Sequence, residues 1–292
     1  MSADKESSDL DFGRLPEDRT CSLRTEWDAF DHEGAHPTSY LNLCERSIDV
    51  GESLLAYDIA TGKPVWAGGS SRAGYSSPRS VMLHGQEQIL IFNQDGLASH
   101  SPVDGSVIWS FGWDPGTPHV SMPLALGDNQ ILLSLGYGNG SKLIQVNRSG
   151  ESFSASELWH SRFMKAKFTN LISRGDHIYG LDDGIFACID QKDGRRKWKD
   201  GRFGHGQILL RGNHILVMAE NGEMILLEVS PDKQVELSRF AALDSKTWNP
   251  PTLAGEYLLV RNHREAACYK LSLASPKKGA VQREGRQSAS RK

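Results

Sequence analysis

Along residues 53–273, short apolar runs stand a few positions apart, divided by Gly, Asn and Asp. Helices would show apolar positions at a 3.6-residue period. This spacing instead predicts strands joined by tight turns. The stretch from Ser77 to Phe111 shows the pattern: strands are expected at Ser77–Leu83, Gln88–Asn93, Leu97–Ser101 and Ser106–Phe111.

The same unit recurs. A Gly-containing turn precedes a β run at Gly85, Gly127, Gly175, Gly212 and Gly255, with spacings of 42, 48, 37 and 43 residues. A large aromatic closes most units, at Trp66, Trp109, Trp159, Trp198 and Phe240, with spacings of 43, 50, 39 and 42. The two markers lengthen and shorten together, so the third unit carries an insertion. About four short strands per 40–45 residues predict an all-β propeller of four-stranded blades. Whole blades are expected over 77–111, 122–162, 168–199 and 206–240. Partial units are expected at Ser53–Gly68 and Pro251–Leu273. These two fragments either join into one composite blade, giving five blades, or leave an incomplete arc.

Charge divides the chain of 292 residues into three regions. Residues 1–52 are acidic, net −8, and without repeat character. Residues 53–273 carry the repeats, and residues 274–292 form a basic tail, net +5, expected to be disordered. The overall charge of −3 argues against nucleic acid as a partner. A mean hydropathy of −0.44, without a long apolar run, argues against a membrane span. Met1–Gly13 lacks the apolar core of a signal peptide, so the sequence as written reads as cytoplasmic. Cys21, Cys44, Cys188 and Cys268 form no Cys-x-x-Cys pair, and Cys188 and Cys268 are expected to be buried thiols in strands.

The ends of the units carry a motif. Leu55-Ala-Tyr-Asp58-Ile-Ala-Thr61-Gly62-Lys63-Pro-Val-Trp66 resembles the repeat of pyrroloquinoline-quinone-type (PQQ-like) propellers. Phe186-Ala187-Cys-Ile-Asp190-Gln-Lys-Asp-Gly194-Arg-Arg-Lys-Trp198 is similar, and Ala98–Trp109 follows it more loosely. The likeness spans residues 53–273. It implies turn roles for Asp and Thr-Gly and a structural, inter-blade role for Trp66, Trp109, Trp159 and Trp198. The repeat is shared by quinoprotein alcohol dehydrogenases, by BamB-type lipoproteins of outer-membrane assembly and by many bacterial proteins with no assigned activity. Family resemblance thus implies a periplasmic or cell-envelope setting, and PQQ with calcium only for the dehydrogenase branch. This chain departs from that branch: vicinal cysteines are missing and the blades are too few. The expected function is therefore a non-catalytic binding or scaffold propeller, with no cofactor. The alternative is a quinone-dependent dehydrogenase or its remnant.

In four-stranded blades the D–A and B–C loops emerge on one face, at the mouth of the central channel. That topology gathers Lys165, Lys167, Asp182, Asp183, His205, Glu220, Trp248, Asn249, Arg261 and Arg264 as ligand-binding candidates. Cations outnumber carboxylates among them, so a protein segment or a small polar or anionic ligand is the expected partner. Asp182-Asp183-Gly184 and Gly136–Lys142 read as hairpin turns rather than cation or phosphate sites. No spacing of His and acidic residues suggests a metal site, and no catalytic residue is assigned.

Overall fold

The computed structural model describes residues 53–271 and, for the backbone, residues 41–44. The rest of the acidic segment, with Cys21, and the basic tail 274–292 lie outside the described residues.

Every regular element is a strand, arranged in six antiparallel sheets. The first holds β1 (Leu41–Cys44), β2 (Leu54–Asp58) and β3 (Pro64–Gly68). The second holds β4 (Arg79–Leu83), β5 (Gln86–Asn93), β6 (Gly96–His100) and β7 (Val107–Gly112). The third holds β8 (Leu124–Leu126), β9 (Gln130–Leu135), β10 (Gly140–Ser149) and β11 (Ser152–Ser161). The fourth holds β12 (Ile172–Arg174), β13 (His177–Asp182), β14 (Ile185–Asp190) and β15 (Arg196–Arg202). The fifth holds β16 (Gln207–Arg211), β17 (His214–Met218), β18 (Glu223–Glu228) and β19 (Val235–Ala241). The sixth holds β20 (Thr252–Ala254), β21 (Tyr257–Arg261) and β22 (Ala266–Lys270). Within each sheet the strands pair in sequence order, as propeller blades do.

The insertion in the third unit is the hairpin β10–β11, whose two strands of ten residues each are longer than any other strand here. The end fragments do not merge into a composite fifth blade. β1 completes a three-stranded first sheet, and β22 pairs with β21 alone, so there are six separate sheets among the described residues.

Successive sheets stack face to face through apolar layers. Leu90 and Phe92 meet Ile131 and Leu133 between the second and third sheets. Leu132 and Leu143 meet Ile178 and Ile189 between the third and fourth. Tyr179 and Phe186 meet Ile215 and Val217 between the fourth and fifth. Leu216 and Leu226 meet Leu258 and Tyr269 between the fifth and sixth. Adjacent residues of one strand thus serve opposite layers, which is why β9, β13 and β17 carry apolar residues at consecutive positions.

The motif residues lock each sheet to the next. Asp58 Oδ1 accepts from the Thr61 amide at 2.8 Å and from its hydroxyl at 2.6 Å, closing the turn. Trp66 Nε1 donates to the Pro102 carbonyl in the next sheet's turn at 3.0 Å, and a Cβ on Gly105 would sit 2.4 Å from the Trp66 ring. Trp159 repeats the contact with the Gln191 carbonyl and Gly194. Trp198 donates to the Ser230 carbonyl. The glycine of one repeat is thereby a seat for the tryptophan of the repeat before it. Trp109 differs: it is buried and donates to Gln88 Oε1 in its own sheet at 2.8 Å. Trp66, Trp159 and Trp198 are half-buried rather than fully enclosed, because their rings lie across turns.

Cys188 is a free, buried thiol whose pKa burial pushes up to about 12. Cys268 is not the thiol the sequence suggested; it is disulfide-bonded. Among the described residues no helix is long and apolar enough to cross a membrane.

Candidate functional site

The D–A and B–C loops do share one face, and their backbones are bonded together. Gln94 N donates to the Arg72 carbonyl, Asp183 N to Lys165, Glu220 N to Phe203 and Thr247 N to Glu220. A clasp recurs across this face: an amide of the D–A loop donates to a carboxylate of the following B–C loop. The pairs are Arg72 with Asp95 at 2.7 Å, Lys165 with Asp182 at 2.9 Å, His205 with Glu220 at 2.9 Å and Asp244 with Glu265 at 2.6 Å. Each clasp fixes where its D–A loop enters the next innermost strand.

The candidates separate into two clusters and a remainder. In the first, Asp182 is almost fully buried and bridges two ammonium groups, Lys165 at 2.5 Å and Lys199 at 2.7 Å. Burial works to raise its carboxyl pKa, but the hydrogen bonds from Lys165 and Lys199 outweigh it and hold it below the usual range. Asp183 lies 3.5 Å from Lys165 and 3.7 Å from Lys167, whose ammonium also stands over the Tyr137 ring. Asp183 and Gly184 both have positive φ, the tight hairpin turn the sequence suggested. Lys165 and Lys167 are therefore largely neutralised by the carboxylates beside them, which reduces the excess of cations over carboxylates expected at the mouth. Lys199 was invisible to the sequence argument because it lies within β15, seventeen residues from its partner.

The second cluster joins His205, Glu220 and Trp248 with two residues that spacing did not single out, Phe168 and Lys246. Trp248 stacks on Phe168 at 5.0 Å with 14° between the ring planes, and the His205 ring meets the edge of Phe168 at 5.3 Å. The Trp248 indole N–H donates to Glu220 Oε1 at 2.9 Å, and the Lys246 ammonium stands 3.6 Å from its ring centre. Burial pushes the Glu220 pKa upward, yet the His205 amide and the Trp248 indole hold it below its ordinary value. Despite these contacts Trp248 remains 41% exposed. Beside it an open groove of about 620 Å³ runs along Arg202, Gly204, Glu220, Asn221, Ser245 and Lys246.

The glycines around His205 have fold reasons. A Cβ on Gly204 would press on Glu220, and one on Gly206 would strike the Met218 carbonyl. Arg264 is exposed on the last B–C loop, with its amide on Asn262 Oδ1. Asn249 is half-buried after Trp248. Arg261 is not brought to the second cluster; it lines a different groove with Thr252 and Leu259 on the sixth sheet. No group of three or more His, Cys, Asp or Glu side chains converges among the described residues. Asp182 and Glu220 already have their oxygens engaged. These residues do not fit a calcium–quinone site.

A family model described as outer membrane protein assembly factor BamB matches residues 43–200. No curated protein matches. Among solved structures, the β-propeller domain of Myceliophteria thermophila Cps50 (Swd1) is similar at 14% identity and TM-score 0.54, over 76% of this chain and 79% of that one. The computationally designed protein Ika8 is similar at 9% identity and TM-score 0.52, over 75% and 78%. BamB from Moraxella catarrhalis aligns at 14% identity and TM-score 0.43, over 75% and 76%.

Proposed function

Because this chain belongs to the family of the outer membrane protein assembly factor BamB, we propose that it is a non-catalytic binding propeller that holds an acidic, aromatic-containing segment of a partner protein on its D–A/B–C loop face. The observation that carries this reading is Trp248. A large aromatic is held rigid by Phe168 on one side and by a hydrogen bond to Glu220, yet keeps 41% of its surface in water. Rigid aromatics with a polar rim are the anchors of protein interfaces. Exposed Arg264 supplies the charge that favours an acidic segment, while Lys246, 3.7 Å from Glu220 Oε1, is partly offset by that carboxylate. Lys246 lies over the indole and can move aside as a partner ring arrives. Asp182 and Glu220 act within the face as clasps, shaping the loops instead of contacting the partner.

The test is selection of displayed random peptides on the immobilised full chain. Enriched peptides are expected to contain an aromatic and at least one carboxylate, and to lose ten-fold or more affinity on Trp248→Ala. Their binding should weaken with added salt, since Lys246 and Arg264 are exposed. Peptides that bind Trp248→Ala as well as wild type would overturn the reading.

A further inference from the structure

Among the described residues, four that are not glycine have positive φ: His84, Tyr137, Met164 and Asp183. A bulky residue is strained there unless its surroundings hold it. Three of the four have such surroundings. His84 Nε2 meets the Val146 carbonyl at 2.8 Å, and its ring lies against Phe153. Met164 is fully buried in the layer between the third and fourth sheets. Asp183 faces Lys165 and Lys167. Tyr137 differs. It is 45% exposed, and among the described residues its ring meets one charged or aromatic group, the Lys167 ammonium 5.1 Å from its centre.

The backbone around Tyr137 is well fixed. Residues 136–139 join β9 to β10, with φ +57° at Tyr137 and +89° at Gly138, and the Asn139 amide donates to the Gly136 carbonyl at 3.2 Å. Positive φ at both central residues with this bond makes a type I′ turn, whose first central position favours Asn, Asp or Gly. The corresponding turn of the fourth sheet follows that preference with Asp183-Gly184. Asn139 also pins the turn to the D–A loop before β8, its side-chain amide donating to the Gly136 carbonyl and to Thr117 Oγ1, both at 2.9 Å. An aromatic ring is thus held in water, in a fixed place, where tyrosine costs stability. A residue that breaks a local rule without a structural gain marks a functional position.

The ring is continuous with the second cluster. Lys167, which stands over Tyr137, is followed by Phe168, and Phe168 stacks on Trp248 at 5.0 Å. Tyr137 and Trp248 therefore end one strip along the loop face, both exposed. The cations beside them are offset, Lys167 by Asp183 and Lys246 by Glu220, each pair at 3.7 Å. Both rings are left to act by surface contact more than by charge.

We propose that Tyr137 is a second anchor of this face, and that one partner segment covers Tyr137 and Trp248 together, placing an apolar or aromatic side chain on each ring. This rests on the reading that the face holds a protein segment, and adds its second contact. The strained turn presents the ring before the partner arrives, so little freedom is lost on binding.

The test is selection of displayed random peptides on the full wild-type chain, with counter-selection on Tyr137→Asn. Asparagine makes an Asn-Gly type I′ turn, so the variant's Tm should equal or exceed that of the wild type. Surviving peptides should carry two large apolar side chains and bind both Tyr137→Asn and Trp248→Ala at least ten-fold more weakly than wild type. The ratio of wild-type to Tyr137→Asn affinity should not change with added salt, because Lys167 is already paired. If no peptide survives counter-selection while the uncounted pool still depends on Trp248, the second anchor is overturned and the first reading stands. Survivors indifferent to Trp248→Ala would overturn the shared segment, and a wild-type chain that enriches nothing would overturn both readings. A Tm lower than wild type by more than roughly 3 °C would make Tyr137 a structural residue, and a salt-dependent ratio would make its contact one of charge. Either result would overturn the proposal.

Discussion

Replacing Asp182 by Asn exchanges one oxygen for nitrogen and removes one negative charge from the loop end of β13. The amide can still accept from the Lys165 N–H, so the clasp geometry survives and the charge alone is tested. In the wild type the Asp182 side chain is 1% exposed, and its two ammonium partners are 19% and 18% exposed. Without the carboxylate, Lys199 loses its counter-charge and Lys165 retains only Asp183 at 3.5 Å. Breaking a buried pair from one side costs about 3–5 kcal/mol, because the orphaned charge keeps its desolvation. Partial exposure of both lysines places the expected cost near the lower end, about 3 kcal/mol, roughly a hundred-fold in the unfolding constant. Urea titration at pH 7 measures it. The pH dependence supplies a sign. The folded carboxyl is held below its ordinary value, so its stabilisation is complete above the unfolded pKa of about 3.9 and is lost as pH falls through the folded value. The gap between wild type and Asp182→Asn should therefore stay constant from pH 8 to about 5 and narrow below about 4. A cost under about 1 kcal/mol, or a gap that widens in acid, would refute the reasoning.

The tryptophan and glycine of the repeat make further predictions. Trp198→Ala should cost about 3 kcal/mol in the same titration, since the ring packs on Phe186 at 5.4 Å and reaches the next sheet through Ser230; a cost below about 1 kcal/mol would place the anchor elsewhere. Gly194 and Gly150 both have positive φ, yet a Cβ on Gly194 meets Trp159 at 2.7 Å whereas one on Gly150 meets nothing. Gly150→Ala should therefore cost about 1 kcal/mol from backbone strain alone, and Gly194→Ala clearly more; equal costs would remove the seat assigned to Gly194.

The strands were legible because their grammar is local. Gln88–Asn93 and Leu97–Ser101 flank the turn from Asn93 to Gly96, so their bounds fall within about two residues of β5 and β6. The loop face was legible too, since it follows from strand order. What sequence could not supply was partnership. Lys165 and Lys199 look like ordinary surface charges until the fold brings both to one buried carboxylate. Phe168 and Trp248 lie eighty residues apart and stack only because Gln207 ties both backbones, donating to the Phe168 and Trp248 carbonyls. β1, inside an acidic stretch, shows no apolar alternation long enough to be read as a strand. Cys268 follows the strand pattern in which a thiol would simply be buried, and nothing in that local pattern marks it as disulfide-bonded.

The claim that this propeller binds through its D–A/B–C face is tested most directly by a footprint. Hydrogen–deuterium exchange of the full chain should be measured with and without a peptide selected as above. The account predicts slowed exchange in 165–168, 204–207 and 245–249, with the turns at 102–105 and 192–194 on the opposite face unchanged. Protection confined to those opposite turns, with 245–249 exchanging as in the free chain, would contradict it.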